Sequence, residues 1–112
     1  MRRWDIYWAD VPYEEDPNII KRRPVIIAKD KSPIYVLTFK ITSKPARECD
    51  LGDYPLIYWK ESGLREPSVV RLRKISQLSP DMFGDYIGRV QAADVLEMQR
   101  IMQGLKERSR TD

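Results

Sequence analysis

Apolar and polar positions alternate along DIYWADV, Asp5–Val11, setting Ile6 and Trp8 on one side and Tyr7 and Ala9 on the other. That period of two is the mark of a half-buried β-strand. The next stretch, PYEEDPNIIKRR, carries Pro12, Pro17 and the acidic triplet Glu14, Glu15 and Asp16 and reads as a loop. PVIIAK, starting at Pro24, is an almost unbroken apolar run, as expected of a strand covered on both faces. The longest strand candidate, Ile34–Thr42, ends in the polar SKPARECDLGD. PLIYWKES and SVVRLRKI read as two more strands, punctuated between them by Gly63 and Pro67. In QLSPDMFGDYIGRV, Gly84 and Gly88 interrupt regularity, which predicts a turn or a short helical piece. Only AADVLEMQRIMQGLKER has a helical period: Val95, Met98, Met102 and Leu105 form one stripe, extended by Ile101. Asp94 near its start and Lys106 and Arg108 near its end suit the helix dipole.

Five short strands followed by one helix, without β-α alternation, predict a mainly β fold: a small antiparallel barrel or sandwich capped by a C-terminal helix. At 112 residues, 42% of them hydrophobic, the chain is expected to form a single domain, 1–112, around one modest core. Trp8 is expected in that core, Trp4 and Tyr13 at the surface, and the helix stripe against the core or a dimer partner.

Composition narrows the chemistry. The chain has no histidine and one cysteine, Cys49, which excludes the common zinc sites, an internal disulfide and the commonest general acid–base residue. A carboxylate magnesium site stays open, but no tight acidic cluster stands out beyond Glu14-Glu15-Asp16, and no cofactor is expected. A lone cysteine fits a reducing cytoplasm. No apolar run approaches the ~20 residues that span a bilayer, and MRRWDIYWAD meets Asp5 too early for a signal-peptide core. The net charge of +3 is mild but uneven. Three bases and no acid lie in Pro67–Leu78, whereas Glu48–Glu66 carries five acids and two bases. Positive charge thus gathers at KRRP, KITSKPAR and RLRK, an anion-attracting face if these converge.

Two places could use that charge. Pro24 biases Arg23 towards extended backbone, and a guanidinium held beside a strand suits the bidentate recognition of a phosphate. The plainer reading of Lys21, Arg22 and Arg23 is a solubilising flank to an apolar strand. In KITSK, alternation sets Lys40 and Thr42 on one face, and a hydroxyl at a strand end can donate to a phosphate oxygen; threonine is equally an ordinary strand residue. Aromatic residues beside cations, among them Trp4, Tyr7, Tyr13, Tyr58 and Trp59, are the side chains that stack single-stranded nucleic acids, though a small core also consumes them.

Taken in order, WDIYWADVP, RRPVIIAKD, KITSK, PSVVRLRKISQL and the terminal helix resemble the MazF/PemK toxins of bacterial toxin–antitoxin pairs. The resemblance covers nearly the whole chain. It implies a small SH3-like antiparallel β-barrel with a C-terminal helix, a homodimer, and a metal-independent, sequence-specific endoribonuclease acting on single-stranded RNA, mostly mRNA, with a cognate antitoxin that blocks the RNA groove. By motif, the family's catalytic arginine before the proline falls on Arg23 and its catalytic threonine on Thr42; Arg71 matches an arginine that some members carry after SVV.

That implied chemistry needs neither histidine nor metal, because the substrate's own 2′-hydroxyl attacks the adjacent phosphorus. The expectation is that Arg23 stabilises charge on the phosphorane oxygens and helps in proton transfer, while Thr42 hydrogen-bonds a non-bridging or leaving oxygen. Lys21, Arg22, Ser43 and Lys44 would position the RNA backbone, and Arg71 would join the centre. The chain departs from the family pattern in having Trp4 where a glycine is usual, no glycine in the first loop from Glu14 to Arg22, Arg73 where an acid commonly follows SVV, and Ser76-Gln77 in place of Arg-Thr. Two alternatives keep less of the chemistry: a non-cleaving toxin of the same fold that binds a protein target, as the related CcdB toxins bind gyrase, or an SH3-like interaction module.

Overall fold

The computed structural model describes residues 1–111 apart from 14, 31 and 45–50, with side chains described through Arg108. Glu14 of the acidic triplet, Arg47 of KITSKPAR and Cys49 lie outside the described residues. Among the described residues six strands, β1 (Asp5–Pro12), β2 (Ile20–Lys29), β3 (Val36–Thr42), β4 (Asp53–Pro55), β5 (Val69–Leu78) and β6 (Phe83–Arg89), precede one helix, α1 (Ala92–Thr111). They make one antiparallel sheet in the order β4-β5-β3-β2-β1-β6. The expected mainly β class with a C-terminal helix is what the chain adopts. The sheet is open, with β4 and β6 as its edges.

Paired residues of an antiparallel ladder share a face, so register sorts the side chains. One face carries Ile6, Ile26, Phe39, Ile41, Tyr54, Val70 and Leu72, joined in a buried cluster by Trp4 and Met98 of α1. Val95, Ile101 and Met102 complete the packing, so the helix stripe is a core face. On the other face Ala9, Val11, Val25 and Leu78 form a second, smaller cluster, flanked by Met82 and Phe83.

Several expectations need correction. β2 starts at Ile20, so the basic run lies within the strand, paired with Val11, Asp10 and Ala9, instead of flanking it. PLIYWKES is not a strand beyond Pro55. Its backbone turns, with Ser62 N–H donating to Tyr58 O at 3.1 Å and Leu64 N–H to Trp59 O at 3.1 Å, which sends Leu56, Trp59 and Leu64 into the core at wider than strand spacing. Conversely, the stretch read as a turn or helical piece holds the end of β5, one 3-10 turn at Pro80–Met82, and all of β6. Its glycines serve close approach: a Cβ on Gly88 would fall 2.0 Å from Ser62 O. Finally, Trp4 is buried and stacks on Phe39 with ring centroids 5.8 Å apart, whereas Trp8 is only half-buried opposite Pro24. Tyr13, expected at the surface, is also half-buried.

Candidate active site

The site is built where β2 begins and β3 ends. Ala9 pairs with Arg23 across β1/β2, and Val25 pairs with Lys40 across β2/β3. Pro24 brings no N–H to a ladder, and the β2/β3 pairing runs only as far as Val25. By alternation Arg23 shares the face of Val25 and Thr42 that of Lys40, so both lie on one face of the sheet, beyond the last pair of the β2/β3 ladder. On the other side of β3, Lys40 pairs with Arg71 and Thr42 with Val69. Arg71 therefore lies beside Lys40 and on the diagonal from Thr42, all on the face opposite the helix.

Arg23 is half-buried, and its Nε is buried without a hydrogen-bond partner among the described residues. Its Cζ sits 5.8 Å from the centre of the Tyr13 ring, within cation–π range. The β1–β2 turn that carries Tyr13 is closed by Tyr13 N–H to Ile19 O and Ile19 N–H to Asp16 O, both 2.9 Å. An unpaired buried donor is unusual enough to call for an explanation, and a catalytic role is one.

Thr42 is half-buried, and its Oγ1 accepts from the Lys44 backbone N–H at 3.2 Å. That bond uses one acceptor lone pair of the hydroxyl, whose O–H can still donate. The turn leaves Ser43 and Lys44 exposed beside it. Arg71 Nε donates to Asp53 Oδ1 at 3.3 Å, with the two side chains 13% and 4% exposed. Nothing in the pattern of residues singles out Asp53; its role depends on a β4/β5 register that joins positions 18 apart.

The three consecutive cations separate. Lys21, opposite Val11, shares the face of Arg23 and is exposed. Arg22 points to the other face, where it bridges Asp10 at 3.7 Å and lies across Gly84 of β6. A Cβ at Gly84 would meet the Arg22 Nη2 at 2.1 Å. The fold thus brings Arg23, Thr42, Lys40, Arg71, Lys21, Ser43 and Lys44 to one region and turns Arg22 away. A cleft of about 460 Å³, lined by Met1, Arg3, Ala28, Lys29 and Asp30, sits towards the other end of β2 and includes none of them. Among the described residues no three His, Cys, Asp or Glu side chains group as a metal site would require.

Solved structures with the same fold include an endoribonuclease in complex with its cognate antitoxin from a mycobacterial species, at 19% identity and a TM-score of 0.68, covering 90% of this chain and 89% of that one. A second mycobacterial endoribonuclease aligns at 17% identity and a TM-score of 0.68, over 90% and 86% of the two chains. The Mycobacterium tuberculosis toxin MazF-mt6 aligns at 19% and 0.66, over 90% and 96%. At these identities the likeness is one of fold. No curated protein matches in sequence. The family model of the PemK-like, MazF-like toxins of type II toxin–antitoxin systems matches residues 2–106. Matched over nearly its whole length, the chain belongs to that toxin family.

Proposed function

We propose that this chain is a cytoplasmic toxin that cuts single-stranded RNA, mostly mRNA, at specific sequences without a metal ion and so inhibits translation and growth. A cognate antitoxin would block the RNA-binding face, and the working form would be a homodimer. The observation that carries the reading is Arg23, whose buried Nε has no hydrogen-bond partner among the described residues, on the same sheet face as the Thr42 hydroxyl. In the reaction the 2′-oxygen bonds to phosphorus as the P–O5′ bond breaks; the 2′-hydroxyl gives up its proton and the departing 5′-oxygen gains one. Arg23 stabilises the negative charge that grows on the non-bridging oxygens and helps the proton move. Thr42 donates its O–H to a non-bridging or leaving oxygen. Lys21, Ser43 and Lys44 follow the RNA backbone, Arg71 joins the centre beside Lys40, and Arg22 acts at the rim from its bridge with Asp10.

The test is cleavage of a long single-stranded RNA in EDTA by the purified protein. Arg23→Ala and Thr42→Ala should each lower kcat by about 10²–10³-fold, the usual cost of one preorganised donor to a developing charge. Arg23→Lys should not restore the rate, because an ammonium lacks the planar fork. The same sequence as DNA should stay intact, since it has no 2′-hydroxyl. RNA left whole by the wild type defeats the proposal.

A further inference from the structure

Asp53 is a carboxylate on a three-residue edge strand, yet its side chain is 4% exposed. Burying a charge is costly unless it is paired and hydrogen-bonded, and aspartate is a poor strand former. Its pairing meets that cost: register sets Asp53 opposite Arg71, and Oδ1 accepts from Arg71 Nε at 3.3 Å. The backbone is pinned at the preceding residue. Leu72 N–H donates to Gly52 O at 2.8 Å, and the Arg73 stem packs so closely on Gly52 that a Cβ there would meet Arg73 Cγ at 2.4 Å. Across β5, Arg71 faces Lys40. Two cations on adjacent strands repel, and Asp53 offsets that repulsion while orienting one of them from its Nε edge.

We infer that Asp53 is a positioning residue that holds the Arg71 guanidinium beside Lys40 and Thr42 for the scissile phosphate. The inference rests on the ribonuclease reading above. It makes Asp53 act through Arg71 and through nothing else, which a double-mutant cycle reads directly. The experiment measures kcat/KM on one single-stranded RNA for the wild type, Asp53→Ala, Asp53→Asn, Arg71→Ala and the Asp53→Ala/Arg71→Ala double variant. Asp53→Ala should lose about tenfold, within the range of coupled neighbours. Asp53→Asn, which keeps an acceptor oxygen but not the charge, should lose less. Adding Asp53→Ala to Arg71→Ala should change nothing further. Two results overturn the inference while leaving the ribonuclease reading intact: an Asp53→Ala protein, or an Asp53→Asn protein if the alanine variant does not fold, that cuts at the wild-type rate, or an equal loss from Asp53→Ala in both backgrounds. RNA left uncut by the wild type overturns both.

Discussion

Trp4 holds φ at +77°, in the left-handed region that costs a residue with a side chain about 1–2 kcal/mol. The family resemblance places a glycine there, and the backbone shows why: the turn into β1 requires that conformation. Trp4 keeps it because its ring is 5% exposed, stacks on Phe39 and lies beneath the Arg3 guanidinium at 4.8 Å. Trp4 N–H also donates to Ile27 O at 2.8 Å, and its carbonyl accepts from Val90 N–H at 3.0 Å. Packing outweighs strain here. Trp4→Gly should relieve the backbone but remove a large buried side chain, a deletion worth about 3–5 kcal/mol, for a net loss of about 1–4 kcal/mol in urea unfolding. A glycine variant as stable as the wild type would mean that strain, not packing, dominates. Arg23 and Arg22 make the complementary point. Adjacent in sequence, they face opposite sides of β2 because a strand alternates, and only Arg23 shares the sheet face of Thr42.

At the scale of elements, α1 is tied to the sheet through Asp94. This fully buried carboxylate accepts from Tyr54 Oη at 2.5 Å, from Ile57 N–H at 3.1 Å and from Tyr58 N–H at 2.9 Å. Read from the chain alone, Asp94 is a dipole-complementing residue in the first turn; in the fold it also bends PLIYWKES away from strand geometry. Burial, then the hydrogen bond to Asp94, pushes the Tyr54 hydroxyl well above its ordinary value of 10.0. The unfolded chain ionises Tyr54 near 10.0 while the folded one keeps it protonated, so the folded state binds more protons above that pH. The contribution of Tyr54 is therefore complete below pH 10.0 and is lost as pH rises through the folded value. Unfolding measured between pH 8 and 11.5 should show stability falling with a slope that steepens above 10.0. Tyr54→Phe should be less stable at neutral pH and lack that component. An unchanged alkaline slope in the phenylalanine variant would assign it to other groups.

Across the whole molecule, the net charge of +3 understates the local field. Lys21, Arg23, Lys40, Lys44 and Arg71 come from three strands and one turn, and among the described residues Asp53 is an acid paired into their midst. RNA binding should accordingly weaken with salt. With a 2′-O-methyl strand that cannot be cut, log K should fall with log salt by about 0.7 per phosphate contacted, and Lys44→Ala should reduce the slope by about that amount. Salt-independent binding would argue against this face.

The strands β1 and β3, the helix with its apolar stripe, and the pair Arg23 and Thr42 were legible in the chain because each is written locally: alternation, a 3.6-residue period, a proline after an arginine, a hydroxyl at a strand end. The reach of β2 back to Ile20, the strand β6 through two glycines, and the turn after Pro55 were not, because each depends on a neighbour distant in sequence: β1 for the basic run, Arg22 and Ser62 O against Gly84 and Gly88, Asp94 for the turn. From the chain alone came the mainly β class and the candidate residues, since periodicity and side-chain type are properties of short segments. That Arg23 and Thr42 share one face of the sheet, that Arg22 bridges Asp10 on the other, and that Asp53 holds Arg71 came only from the fold. Those are statements of register, and register is set between strands.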